Sequence, residues 1–188
     1  MADQKAAQDQ KVAQDQGEQV NDSSLADDGA TQGGTPTTLT TNIKSMVSYV
    51  DLHTMKVHAQ TDPEVKSGEI EFYTTHLAAK TPGLLLHSDV GAINLGAAKS
   101  YDQVVEAPAT GYVKDDLQTG TYAVGKTWWT SKDEAKHVFV MSNNIYVLAL
   151  PDGSFAKIQV MSAGSGKIVV RCFRQANGSR DLRTTSGG

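Results

Sequence analysis

Three side chains suited to binding a metal-bearing cofactor alternate along one apolar segment in the second half of the chain. His137, Phe139 and Met141 are spaced two residues apart, so they share one face of any β-strand that contains them. An imidazole or a thioether can ligate haem iron, and an aromatic ring can pack against the macrocycle. This face is therefore a candidate haem site, with core packing of the same three side chains as the alternative.

The remaining histidines offer weaker metal-binding patterns, and they are His53, His58, His76 and His87. The odd spacing of His53 and His58 places them on opposite faces of a regular strand, which prevents them from sharing a metal ion there. A turn between the two would remove this obstacle. Taken singly, each of the four is expected to be an ordinary surface or hydrogen-bonded histidine.

Signatures of catalysis are missing from the sequence. Cys172, the one cysteine, lies in the apolar run 168–173, which predicts a small buried side chain and not a nucleophile. Glu69 and Glu71 share a strand face, which is expected to be the solvated side of a sheet. No nucleophile elbow, phosphate loop or dinucleotide fingerprint occurs, and one cysteine excludes c-type haem attachment. We expect a binding protein and not an enzyme.

Composition divides the chain into a tether, a domain and a tail. Residues 1–37 are polar and repetitive and cannot bury enough surface to offset their ordering entropy. They are predicted to form a disordered tether, with a coiled coil or a partner-binding helix as the alternative. Residues 38–175 are predicted to form the domain, and residues 176–188 a flexible tail. The net charge of −4 without basic clusters argues against nucleic acid.

Short β-rich segments separated by turn residues fill the domain and predict an antiparallel β-sandwich or barrel-like meander. Trp128 and Trp129 open one strand and are expected on opposite faces of it. A short helix is predicted over residues 100–107, closed by Pro108. A tight turn with a positive φ at Gly153 is predicted for Pro151-Asp152-Gly153. The predicted strands cover residues 46–52, 55–58, 69–74, 83–86, 92–95, 137–141, 145–150, 155–160 and 168–173.

The segment 145–160, a strand, a Pro-Asp-Gly-Ser turn and an Ala-Lys-Ile-Gln-Val strand, resembles the HmuY family of bacterial haem-binding lipoproteins. Residues 107–112, Ala-Pro-Ala-Thr-Gly-Tyr, resemble its Pro-x-x-Gly-Tyr segment. Residues 68–72, Gly-Glu-Ile-Glu-Phe, fall where the family often has Trp-Asp-Ile-Ala-Phe, so the Trp-Asp pair is lost here. The resemblance covers residues 47–173. It implies an all-β fold and an extracytoplasmic role in iron acquisition, either secreted or held at the outer membrane by a lipid anchor whose cysteine this chain lacks.

The resemblance also implies paired His or Met axial ligands between the Gly-Tyr segment and the hairpin, where this chain has His137 and Met141. His137 is then one ligand of the haem iron, and the second is Met141, His76 or His87. Met141 shares the strand face of His137 and would have to bend around the ring edge, which favours His76 or His87. The alternative is a structural or interaction subunit with the same fold, a cell-surface protein partner and no haem.

Overall fold

The described part of the chain consists of β-strands joined by turns. The computed structural model describes residues 34–42, 47–62, 69–74, 82–87, 89–133 and 138–185, which all lie in one unit, Thr31–Gly188. The only helical segment among them is a 3-10 turn, Tyr101–Gln103. The strands are β1 (Thr37–Asn42), β2 (Ser48–Asp51), β3 (Lys56–Ala59), β4 (Ile70–Thr74), β5 (Pro82–Leu86), β6 (Gly91–Asn94), β7 (Val113–Lys114), β8 (Trp129–Asp133), β9 (Val138–Met141), β10 (Ile145–Ala149), β11 (Phe155–Gly164) and β12 (Lys167–Gln175).

Two antiparallel sheets contain all of these strands. The larger sheet has eight strands, with the order β1-β12-β11-β10-β6-β7 and with the β8–β9 hairpin attached through β9 to β11. The smaller sheet has four strands in the order β3-β2-β4-β5. Neither path of strands closes on itself. The predicted all-β antiparallel fold is therefore confirmed, and it takes the form of two open sheets and not of a barrel.

The main core is built from both sheets. The smaller sheet contributes Val50, Ile70 and Leu84, and the larger one contributes inward residues of β10, β11 and β12. Along β10 every second side chain enters this core, while Ile145 and Val147 pack in a second cluster on the opposite face. Because both faces of β10 are covered, its sequence is an uninterrupted apolar run and not an alternating one.

The second cluster is organised around a buried lysine. Lys157 on β11 is fully buried, and its Nζ donates to the carbonyls of Tyr101 at 2.9 Å and Val104 at 2.9 Å and to Thr184 Oγ1 at 3.3 Å. The Tyr101 hydroxyl donates in return to the Lys157 carbonyl at 3.1 Å. These bonds dock the segment around residues 101–104 onto the sheet.

The helix predicted over residues 100–107 is wrong beyond one 3-10 turn. Val104 already has extended backbone angles, with φ −84° and ψ 93°. In a helix the Val104 carbonyl would accept from the backbone N–H of residue 108, which is a proline and has none. Lys157 takes that carbonyl instead, so a tertiary contact replaces the helical one.

Both ends of the described chain are held to the domain by backbone hydrogen bonds. β1 lies along β12 from Thr37 opposite Cys172 to Asn42 opposite Lys167. Residues 176–185, which the sequence assigns to a flexible tail, run back over the second cluster, where Leu182 is fully buried and its N–H donates to the Val105 carbonyl at 2.9 Å. Leu182 is the one large aliphatic residue after residue 175. Residues 1–33 of the predicted tether and residues 186–188 lie outside the described residues.

The β10–β11 turn has the predicted conformation, with Gly153 at φ +81° and its N–H donating to the Leu150 carbonyl at 3.0 Å. A Cβ on Gly153 would meet no atom within 4 Å, so a substitution here strains the backbone without causing a clash. Gly153→Val is expected to lower the free energy of unfolding by about 1–3 kcal/mol, because a β-branched residue rarely adopts positive φ. Urea denaturation measures this loss. The control Gly153→Asn tolerates positive φ and should cost less; equal losses for the two variants would disprove the strain argument.

Candidate functional site

The β8–β9 hairpin carries an aromatic cluster, which consists of Trp128, Trp129 and Phe139. The Phe139 ring centroid lies 5.9 Å from that of Trp128 and 5.3 Å from that of Trp129, and the two indoles are 6.4 Å apart. Met141 is opposite Trp129 in the strand register. Phe139, Met141 and Trp129 are half-buried and pack against the main core. The hairpin therefore presents three aromatic rings and a thioether in one neighbourhood.

The expectation that Trp128 and Trp129 point to opposite faces is wrong. Trp128 precedes β8 and belongs to a turn in which the Thr127 N–H donates to the Val124 carbonyl at 3.0 Å. Strand alternation does not apply to a turn residue, so both rings reach Phe139. The Thr127 hydroxyl is also hydrogen-bonded to the Tyr146 hydroxyl at 2.9 Å. Burial raises the pKa of Tyr146, so this hydroxyl remains protonated and anchors the turn to β10.

Both indole N–H groups of the aromatic cluster are buried and donate to no acceptor among the described residues. A buried donor without an acceptor costs about 1–3 kcal/mol, and native proteins contain few of them. Trp128 is only 1% exposed, so bulk water does not supply the missing acceptor. Neither tryptophan was predicted as a site residue, although two adjacent tryptophans ahead of the candidate strand are visible in the sequence.

Of the predicted site residues, the structure brings Phe139 and Met141 together but places His87 elsewhere. Phe139 and Met141 lie on the core side of β9, whereas Val138 and Val140 are 45% and 54% exposed, the alternation that a period of two predicts. His87 is exposed and follows β5 in the smaller sheet, so it does not share a strand with them. His76 and His137 lie outside the described residues.

The chemistry of the cluster fits a planar, largely apolar cofactor. Aromatic rings offer faces and edges for stacking, and binding sites for cofactors are mostly apolar with a few polar groups that fix orientation. Met141 adds a thioether, which is a known axial ligand of haem iron.

A nucleophilic role for Cys172 has no support in the structure. Its side chain is fully buried in the main core, as the sequence predicts, and burial raises its pKa to about 12. A thiol with this pKa is protonated near neutral pH and is a poor nucleophile. Cys172 therefore acts as a small apolar residue in the packing of β12.

The two N-terminal histidines meet at one carboxylate because a turn separates them. The chain turns between β2 and β3, where Met55 has φ 53°, and both rings then lie beside Asp51. His53 Nδ1 is 3.9 Å from Asp51 Oδ1, and His58 Nε2 is 4.0 Å from Asp51 Oδ2. The expectation that Glu69 is solvated is wrong, since Glu69 is 4% exposed and lies in the same region. The side chain of Glu71 lies outside the described part of the structure.

Comparison with known proteins finds similar structures but no similar sequence family. No protein-family model matches the chain, and no curated protein matches it. Within the described residues, no helix has the length and the apolar composition needed to span a bilayer. Several solved structures, in contrast, superpose on most of the chain.

One of these structures is the apo HmuY analogue of Tannerella forsythia, with a TM-score of 0.54, 17% identity, and coverage of 76% of this chain and 96% of that protein. Another is a proposed HmuY-like haem-binding protein of Bacteroides vulgatus, with a TM-score of 0.50, 16% identity and coverage of 73% and 90%. A third is a proposed lipoprotein of Bacteroides fragilis, with a TM-score of 0.51, 13% identity and coverage of 75% and 90%. The chain therefore has the fold of the HmuY-like proteins, as the resemblance of its hairpin implies.

Proposed function

We propose that this chain is the non-enzymatic haem-binding domain of a bacterial surface lipoprotein or secreted protein, with a role in iron acquisition. The observation that carries the proposal is the aromatic cluster, in which the half-buried rings of Trp129 and Phe139 lie beside the half-buried Met141 thioether. Similar folds in a proposed HmuY-like haem-binding protein and a proposed lipoprotein support it.

His137 is the proposed first axial ligand of the haem iron. It immediately precedes β9 in the sequence, and continuation of that strand by one residue would put it on the side of Phe139 and Met141. The second ligand is proposed to come from another segment, at His76 or His87, because Met141 on the same strand face would have to reach around the ring edge. Met141 is the alternative second ligand.

Haemin added to the purified chain is expected to give a sharp Soret band and a six-coordinate low-spin spectrum. His137→Ala should weaken binding by tenfold or more, which corresponds to about 1.4 kcal/mol or more, because it removes one iron bond. Met141→Ala should have a smaller effect unless Met141 is the second ligand. Absorbance titration measures each dissociation constant.

The matched control for this titration is Val140→Ala, a truncation on the same strand at a side chain that is 54% exposed and faces away from the aromatic cluster. It should leave the spectrum and the affinity unchanged. A wild-type chain without a saturable Soret change would disprove haem binding. An unchanged spectrum in His137→Ala would leave haem binding in place and disprove the assignment of this ligand.

A second candidate function is that of an interaction subunit at the cell surface. It is favoured by Val138 and Val140, which are 45% and 54% exposed on the outer face of β9, and by β8, which pairs only with β9 among the described strands. Exposed apolar side chains next to an open strand edge are typical of protein contacts. Val140→Lys should then abolish partner binding without changing the haemin titration, whereas unchanged partner binding would exclude this surface.

A further inference from the structure

His53 lies among three carboxylates that come from different parts of the chain, and we call Asp51, His53, Glu69 and Asp152 the His53 cluster. His53 Nδ1 contacts Glu69 Oε1 directly and is 3.9 Å from Asp51 Oδ1. On the other side of the ring, Nε2 is 3.0 Å from Asp152 Oδ2. The side chains of Asp51 and Glu69 are each only 5% exposed, whereas His53 is 40% exposed. The cluster is thus buried around Asp51 and Glu69 and open around His53 and Asp152, whose side chain is 38% exposed.

The orientation of the imidazole leaves one nitrogen facing two anions. When Nε2–H donates to Asp152, a neutral ring directs its Nδ1 lone pair towards Asp51 and Glu69. One ligand atom from each of Asp51, His53 and Glu69 lies within 4.8 Å of the other two. Two nearly buried carboxylates and an imidazole nitrogen at this separation create a position that favours a cation, although the His58 ring also lies beside Asp51. A metal ion is one such cation, and a proton on Nδ1 is the other.

The carboxylates of the cluster are held in place by further hydrogen bonds. The Leu52 N–H donates to Glu69 Oε2 at 2.7 Å, and the His53 N–H donates to Asp51 Oδ1 at 2.7 Å. Asp152, which holds the imidazole, accepts from the Ser154 hydroxyl at 2.6 Å and pairs with Arg174. A histidine whose second nitrogen donates to a fixed carboxylate is the arrangement found around metal-bound histidines.

We propose that Asp51, His53 and Glu69 form a binding site for one divalent transition-metal ion, with Asp152 as the residue that orients the imidazole. One imidazole nitrogen and two carboxylate oxygens form a ligand set that zinc accepts, with water in a fourth position. The exposed side of His53 leaves room for that water. The site uses none of the residues proposed to hold haem, so each proposal can be tested independently of the other.

Zinc chloride titrated calorimetrically into the full chain near pH 7 is expected to show one saturable site. His53→Ala should weaken zinc binding by tenfold or more, since it removes the nitrogen ligand, and Glu69→Gln should weaken it while preserving the shape of the side chain. Asp89→Asn is the matched control for Glu69→Gln, because Asp89 is an exposed carboxylate outside the cluster, and this variant should bind zinc as the wild type does. Circular dichroism confirms that each variant is folded.

Zinc should also raise the melting temperature of the wild type and of Asp89→Asn, but not that of His53→Ala, because only a ligand bound to the folded state stabilises it. A wild-type chain that binds no zinc would overturn the proposal and would mean that a proton alone neutralises the cluster. Zinc binding that persists with the same affinity in both His53→Ala and Glu69→Gln would also overturn it. Neither result would bear on the haemin titration.

Discussion

Replacing Lys157 by methionine is expected to lower the free energy of unfolding by about 2–6 kcal/mol near pH 7, because two buried acceptors then lose their donor at about 1–3 kcal/mol each. The acceptors are the carbonyls of Tyr101 and Val104, each 2.9 Å from Nζ. Methionine has a similar length, so the loss reports the hydrogen bonds and the contact with the Tyr101 ring, whose centroid is 4.4 Å from Nζ. Urea denaturation measures the effect.

Lys167→Met is the matched control for this substitution. Lys167 begins β12 and is exposed, so the same chemical change there removes a charge without removing a buried donor and should cost little. Equal stability of Lys157→Met and Lys167→Met would show that the hydrogen bonds of Lys157 do not hold the segment around residues 101–104 on the sheet.

The stability advantage of the wild type over Lys157→Met is expected to grow as the pH rises from about 8 to about 10.5. Burial lowers the pKa of Lys157 to about 8 in the folded chain, whereas an unfolded lysine titrates near 10.4. Between these values the unfolded chain carries one more proton on this residue, so the wild type gains stability with increasing pH. The full gain is about 3 kcal/mol and is absent below pH 8, where both states are protonated.

Taking the difference in stability between the wild type and Lys157→Met cancels the contributions of the other groups that titrate in this pH range. Burial raises the pKa of Cys172 to about 12, and that group makes the folded chain less stable as the pH rises above its unfolded pKa of about 8.5. Because Cys172 is present in both proteins, its contribution cancels in the difference. Urea denaturation at pH 7, 8.5 and 10 gives this difference directly, and a constant value across the series would show that Lys157 is not desolvated in the folded state.

The strands could be predicted because local alternation and turn chemistry agree with the final fold. The β10–β11 hairpin is the clearest case, since Gly153 supplies the positive φ that its turn needs. β1 was missed because its pattern is polar, with only Leu39 and Thr41 buried, and its existence depends on pairing with β12. The helix over residues 100–107 failed because the carbonyl of Val104 bonds to Lys157, 53 residues away.

The sites were less predictable than the fold because they depend on distant contacts. The common face of Phe139 and Met141 follows from a period of two, but the buried indole N–H groups depend on how the turn before β8 packs. In the His53 cluster, the pairing of β2 with β4 brings Glu69 close to Asp51 and His53. Asp152 comes from the β10–β11 turn of the other sheet. No local sequence pattern predicts that these residues lie close together in the fold.

The proposed haem site is tested most directly by following the two indole N–H signals of the chain, which has only two tryptophans, both in the aromatic cluster. In nitrogen–proton correlation spectra of the full chain, gallium protoporphyrin IX serves as a diamagnetic haem analogue, and Trp129→Phe assigns the two signals. If haem binds against the aromatic cluster, both indole signals shift strongly and reach saturation at one equivalent. Indole signals that stay unmoved while absorbance shows saturable porphyrin binding would contradict the account, because the porphyrin would then bind elsewhere on the domain.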